Sequence, residues 1–298
     1  LGRGGCACNA NGAEAAKNGG GYAAYWKGFL NENGIGRPKN IVSAVWFYRV
    51  ATSRSDTLGQ VSLGRLLVEG KGISHDPVRA RDLFLQAAKN GNKEAQARLG
   101  KMLMQGEGGP KNTQEGLQWL ETASDHPISK HIRGLRSWMD SASRQERASA
   151  LALLKQAADS GLADAQVSAA KILVSEDSGS FRDTGTAIRY LASAAENEHP
   201  EALAIYGVRL IKGNGVPVDE TRGFAMLERS ASLGNDHAAR MIVIQRKLIE
   251  NKAEIARATE ALCKTSIKLY NRGTAETDEG AMVFNTRHGK RRFERIGG

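Results

Sequence analysis

The sequence predicts an all-α protein, a right-handed α–α superhelix of stacked helix–turn–helix units, and three observations carry that reading. Glycines recur with a period of 36, at Gly28, Gly64 and Gly100. A Gly-x-Gly pair follows them at a fixed offset, at Gly34/Gly36, Gly70/Gly72 and Gly106/Gly108. Each unit then closes on two small residues, as in Ala51-Thr52, Ala87-Ala88 and Ala123-Ser124. Self-similarity at such a period marks an array in which each unit buries its apolar face on its neighbours.

Within a unit, the first small residue suits the crossing of helix A over helix B. A side chain there would hold the axes apart beyond the usual ~8–10 Å. The series continues at Gly134, Ala170 and Gly207. The Gly-x-Gly ends helix A, because glycine enters the left-handed region that a helix C-terminus needs. Gly213 and Gly215 repeat the device after Gly207. Asn40, Asp76, Asn112 and Asp219 share one offset and read as N-caps of helix B, and Asn112 with Glu115 has the capping-box pattern. Ala80, Leu83, Phe84, Ala87 and Ala88 then fall on one apolar helix face.

Two units depart from this plan. After Gly134 the turn is Asp140-Ser141-Ala142-Ser143, and after Ala170 it runs from Glu176 to Arg182. About six units occupy residues 20–236. Residues 1–19 read as a Gly-rich leader and the remnant of a preceding helix B, since Ala15-Ala16-Lys17-Asn18-Gly19 repeats Ala87 through Gly91. Residues 237–272 read as a capping pair of helices, with a polar outer face, and 273–298 as an irregular basic tail.

The composition excludes some classes. No apolar run approaches the ~20 residues of a membrane-spanning helix. Three sparse cysteines, Cys6, Cys8 and Cys263, make no disulfide framework. The formal charge is +10, with part of the excess in the tail residues Arg287, Lys290, Arg291, Arg292 and Arg295. A basic chain prefers acidic partners; the charge permits nucleic acid, but no RNA- or DNA-reading motif supports it. No signal-peptide pattern is legible, and the chain opens at Leu1 rather than Met, which leaves a removed targeting segment and a fragment both open.

Taken together, the stretches Trp26–Ala51, Leu63–Gly91, Leu99–Ala123 and Tyr206–Gly234 resemble the Sel-one-like repeat family, a relative of the tetratricopeptide repeats. The turn Gly70-Lys71-Gly72-Ile73-Ser74-His75-Asp76 carries the likeness. The resemblance implies an adaptor or scaffold that gathers protein partners. Bacterial members are often exported, and eukaryotic ones occur in the secretory pathway and mitochondria, so an exported protein is expected ahead of an organellar one. Some bacterial members are described as β-lactamase-like, which implies a remote alternative of a β-lactam or cell-wall enzyme.

The residues themselves argue against catalysis. The Gly-x-Gly elements lack the strand–turn–helix context and the Gly-Lys-Ser/Thr ending of phosphate loops. The six histidines have no metal-ligand spacing, and His75, His126 and His199 fall in turns. No nucleophile–base signature stands out. No cofactor or metal is expected.

The tetratricopeptide likeness puts helix A on the concave side, where residues just after the crossing position point into the groove. The candidate contacts are Phe29, Arg65, Lys101, Leu135, Lys171 and Val208, with His131, Trp138 and Lys212 joining them. Arg65, Lys101 and Lys171 form a basic stripe, which suggests an acidic peptide or protein surface as partner. Trp46 and Trp119 read as packing residues of helix B, and Trp138 as an exposed contact. A rival reading is a basic structural subunit of an organelle or cell-envelope assembly, anchored by the tail.

Overall fold

A computed structural model describes residues 20–274, 282–285 and 292–295. The calls on residues 1–19, including Cys6 and Cys8, and on Arg287, Lys290 and Arg291 lie outside the described residues.

Thirteen α-helices follow one another in the described chain. Helices α1 (Gly21–Asn33) and α2 (Ile41–Ser53) form the first pair, α3 (Thr57–Glu69) and α4 (Pro77–Lys89) the second, α5 (Lys93–Gln105) and α6 (Thr113–Thr122) the third. Then come α7 (Pro127–Asp140) with α8 (Arg144–Asp159), α9 (Ala163–Val174) with α10 (Thr184–Glu196), and α11 (Pro200–Lys212) with α12 (Glu220–Ser232). A 3-10 segment at Glu176–Phe181 precedes α10. Odd-numbered helices are the A helices and even-numbered ones the B helices. Each pair packs internally and onto the next, which makes an all-α superhelix.

The crossing positions hold their pairs at close range. A Cβ on Gly64 would lie 2.9 Å from the Phe84 ring, one on Gly134 2.9 Å from Leu154, and one on Gly100 2.8 Å from the Gly116 carbonyl oxygen. Gly28 meets the Tyr48 ring, Gly207 meets the carbonyl of Gly223, and Ala170 is fully buried. The first turn glycine closes helix A in the left-handed region, at φ 69° for Gly34 and 64° for Gly70. Asn40, Asp76, Asn112 and Asp219 each accept a hydrogen bond from the backbone N–H three residues on. The reciprocal half of the capping box is absent at Asn112, because its backbone N–H is already taken by the Leu103 carbonyl. Glu115 accepts from the Asn112 side chain instead. A complete box forms at Ser143 and Glu146, in the departed turn.

Buried glutamines lock successive repeats. Gln96 donates to the Ala88 carbonyl at 3.1 Å, and Gln166 donates to the Ala158 carbonyl at 3.2 Å. Most of the core falls in two bodies: one runs from Ala44 to Leu103, and the other from Leu151 to Leu210. Between them stands a smaller group, Ala97, Leu120 and Ala123, with Met104, Leu117, Ile128 and Ile132 packed against it.

Two expectations are corrected past the last repeat. The capping pair is one helix, α13 (Asp236–Thr274), since residues 236–272 contain neither glycine nor proline to break it. Its first turns pack on the last repeat through Ala238, and from Glu250 to Leu262 every residue is exposed. The tail, expected to be irregular, carries two short strands, β1 (Met282–Asn285) and β2 (Arg292–Arg295), paired antiparallel with Phe284 opposite Phe293.

Trp46 is also corrected: it is 59% exposed, because it stands six residues after the helix-B cap, an outward position that Asp82 and Gln118 occupy, also exposed, in the next two repeats. Trp119 packs on the first core body as expected. Trp138, expected to be exposed, packs against the second body, edge-on to Phe181 at 5.9 Å with Arg147 over its face. The 3-10 segment that lengthens the preceding turn is what delivers Phe181 there.

Candidate functional site

The face expected to be concave is built by the A helices, which touch from repeat to repeat, and its polar side chains cross from one helix to the next. Arg65 on α3 pairs with Glu32 on α1 and with Glu69 at 3.4 Å. Glu32 also accepts the Tyr48 hydroxyl at 2.8 Å. Burial, reinforced by that bond, pushes the Tyr48 phenol far above its ordinary pKa. The Arg65 pKa is raised although burial opposes it, because Glu32 holds the cation.

The centre of the strip joins α5, α7, α9 and α11. Lys101 reaches Asp164 at 3.6 Å. The other oxygen of Asp164 takes the Nε2 of His199 at 3.0 Å. His199 caps α11, its Nδ1 accepting from the Ala202 N–H, so Nε2 carries the proton that Asp164 receives. The His199 bond, with help from Lys101, holds the Asp164 carboxyl well below the usual carboxylate range despite desolvation. His131 meets the Ser168 hydroxyl oxygen at 2.9 Å, and burial lowers the pKa of its ring. Lys171 pairs with Glu201.

The Ser168 hydroxyl lies 2.8 Å from the Asp164 carbonyl oxygen and 2.9 Å from the His131 Nε2, which ties α7 to α9.

Of the expected contacts, Lys101, His131 and Leu135 come together along one groove, about 540 Å³ in volume. A second cavity of about 260 Å³ shares Lys101 and His131 with it and is closed by Val68, Met102 and Leu162. Lys171 lies further along, beside His199 and Glu201. Phe29 sits in an aromatic group with Tyr25 and Trp26. Val208 packs on the last core group, and Lys212 stands exposed at the end of α11. The basic stripe is therefore internally paired. Asp164 and Glu201 are the residues that the sequence reading missed; each is distant in sequence from the cation it meets. Arg292 and Arg295 lie in β2, with side chains outside the described residues.

No described helix is long and apolar enough to cross a membrane. The model of the Sel1 repeat matches residues 21–56, 57–92, 93–127, 140–162, 163–199 and 200–235. Five of these are helix pairs described above, and the fourth covers α8 but only the last residue of α7. The chain is 30% identical over 167 residues to the rat DAP3-binding cell death enhancer 1, a match covering 55% of this chain and 32% of that protein. It is 46% identical over 59 residues to the exopolysaccharide production negative regulator of Rhizobium meliloti, covering 18% of this chain and 22% of that one. The chain thus spans under a third to about a third of a curated relative's length. A Sel1 repeat protein from Oxalobacter formigenes shares the fold, with a TM-score of 0.54, 22% identity, and 74% and 95% of the two chains covered. With six repeat matches over more than half of the chain, five of them on crossed helix pairs, the chain belongs to the Sel1 repeat family.

Proposed function

We propose that this chain is a non-catalytic adaptor that holds an acidic peptide or protein surface against its concave strip. Sel1 repeat proteins generally mediate protein–protein interaction. The observation that carries the finer reading is the side-to-side pairing of the strip. Each of Arg65, Lys101 and Lys171 meets a carboxylate supplied by another A helix. The Lys101 and Lys171 pairs are about half-exposed, and such pairs contribute little stability, about 0–1 kcal/mol each. Lys101 and Lys171 can therefore turn to a partner's carboxylates at small cost, while Asp164 keeps His199 and Glu32 keeps Tyr48. Steering by the net positive charge would speed encounter, and salt would slow it.

The same carboxylates make the strip selective. A neutral or basic segment leaves every pair intact and gains nothing from the cations. The rival reading, a structural subunit of an envelope or organelle assembly anchored by its tail, draws on the basic residues around β2.

The test is photo-crosslinking in the native cell, with a benzophenone side chain at Lys101 or Lys171 on the concave side, or at Val78, whose side chain is exposed on a B helix. Lys101 and Lys171 should each give the same discrete adduct, bearing an acidic segment, and Val78 should give none. Adducts from Val78 alone would refute a concave adaptor.

A further inference from the structure

The second glycine of each Gly-x-Gly turn has a packing duty. It fits against the first turn of the preceding B helix: Gly72 against Ile41, Gly108 against Pro77 and Val78, Gly215 against Thr184 and Ile188. Gly36, with no described repeat before it, meets nothing within 4 Å. The turn after α9 has no such glycine, and there Phe181 fills the slot, under Arg144 of α8 and against Trp138. The turn after α7 has neither device. Asp140, Ser141, Ala142 and Ser143 stand there, and α7 and α6 pack loosely on one another compared with every other consecutive pair.

The result is the larger of the two adjoining cavities. One wall is Lys111 and Thr113 at the start of α6, and the other is α7 through Met139 and Asp140. Its floor is apolar, from Met104, Ile132, Leu135 and Met139, and Met139 is 81% exposed. Among the lining residues three cations, Lys101, Lys111 and Arg136, face one carboxylate, Asp140, which Arg136 holds at 3.5 Å. Lys111 has no ion pair with a described residue, and Lys101 keeps only its 3.6 Å contact to Asp164. Methionine-lined clefts adapt their shape to the side chain they receive.

We propose that this slot, left open by the lost turn glycines, docks an acidic segment of another protein, which seats an apolar side chain on Met104, Leu135 and Met139 and sets its carboxylates beside Lys111 and Lys101. The proposal deepens the adaptor reading and rests on it.

Random twelve-residue peptides displayed on phage and selected against the immobilised full chain supply the probe. The selected peptides should share a Leu, Met or Phe flanked by Asp or Glu. With methyl-labelled methionine, such a peptide should shift the resonances of Met104 and Met139 and leave Met226 and Met241 in place. Met139→Glu should weaken binding by about tenfold, as loss of a central apolar anchor does. Lys111→Glu should weaken it by about fivefold, less at high salt. Both side chains are exposed, so neither variant disturbs the core. Acidic peptides that bind but shift Met226 or Met241 alone would overturn the slot and leave the adaptor standing. Selection that enriches no peptide would overturn both.

Discussion

The crossing glycines differ in what they touch, and that difference sets a graded stability series. At Gly100 an added Cβ would lie 2.8 Å from the backbone oxygen of Gly116, and at Gly116 it would lie 2.7 Å from the oxygen of Gly100. Two backbones face each other, and neither can swing away. Gly100→Ala should therefore suffer overpacking near the upper end of its usual range, ~3 kcal/mol. Helix propensity returns ~1 kcal/mol, since glycine is that much worse than alanine inside a helix. The net expectation is a loss of ~2 kcal/mol. At Gly64 the neighbour is the edge of the Phe84 ring at 2.9 Å, a side chain that can tilt. There the overpacking of ~1 kcal/mol nearly cancels the gain in propensity, so Gly64→Ala should change stability by under ~1 kcal/mol. Gly64→Val, with two further methyls against the ring, should cost ~1–3 kcal/mol. Gly185 on α10 meets only the Asp183 carboxylate, at 3.7 Å, and Gly185→Ala should stabilise by up to ~1 kcal/mol. Urea titrations followed by circular dichroism at 222 nm would rank the variants by midpoint. If Gly100→Ala shifts the midpoint upward as Gly185→Ala does, α5 and α6 do not cross at backbone contact, and the packing account fails.

Removing the cap by Asp76→Ala should cost about 1 kcal/mol in the same titration, the usual value of an N-cap carboxylate; a neutral change would mean that water replaces it. The depressed Asp164 pKa stabilises the fold above its unfolded value, near 4, and that contribution disappears as pH falls through the folded value. His131, whose pKa burial lowers, binds fewer protons folded than unfolded, so stability should drop as pH falls below about 6.5. The melting temperature should thus decline between pH 7.5 and 5.5, less steeply in His131→Gln, and an unchanged slope would exclude His131 as a contributor. Truncation after Asn285 removes β2 and should leave helical circular dichroism and melting temperature nearly unchanged; loss of the fold would place the tail in the solenoid's cap.

What was legible in the sequence is what recurs at fixed offsets. The glycines at Gly28 through Gly207 and the caps at Asn40, Asp76, Asn112 and Asp219 report local backbone geometry, and local geometry repeats with the unit. The concave pairings were not legible, because Lys101 finds Asp164 two repeats on and superhelical curvature decides which A helices meet. Trp138 was misread for a related reason. Its partner Phe181 sits in a turn of altered length, and nothing in a 36-residue offset locates it. Trp46 and Trp119 differ by one place in the repeat: Trp119 stands seven residues after its cap, on the packed face with Leu83, and Trp46 stands six after its cap, on the outward face with Asp82. The single helix α13 could be anticipated from the lack of glycine and proline, but its charge pattern suits a paired helix equally well.

The exposed stretch of α13, from Glu250 to Leu262, changes what the chain beyond it can reach. From Glu250 to Thr274 the helix runs on without a described core beneath it, and at 1.5 Å per residue that stretch is about 37 Å long. It works as a strut. Whatever engages the chain beyond Thr274 is held off from the last repeat by a rod instead of a floppy tether. The local concentration of a tail-bound ligand at the A-helix strip is then governed by the rod, and lengthening or shortening α13 by two residues would turn whatever leaves its end by about 200° around the helix axis while moving it only about 3 Å along it.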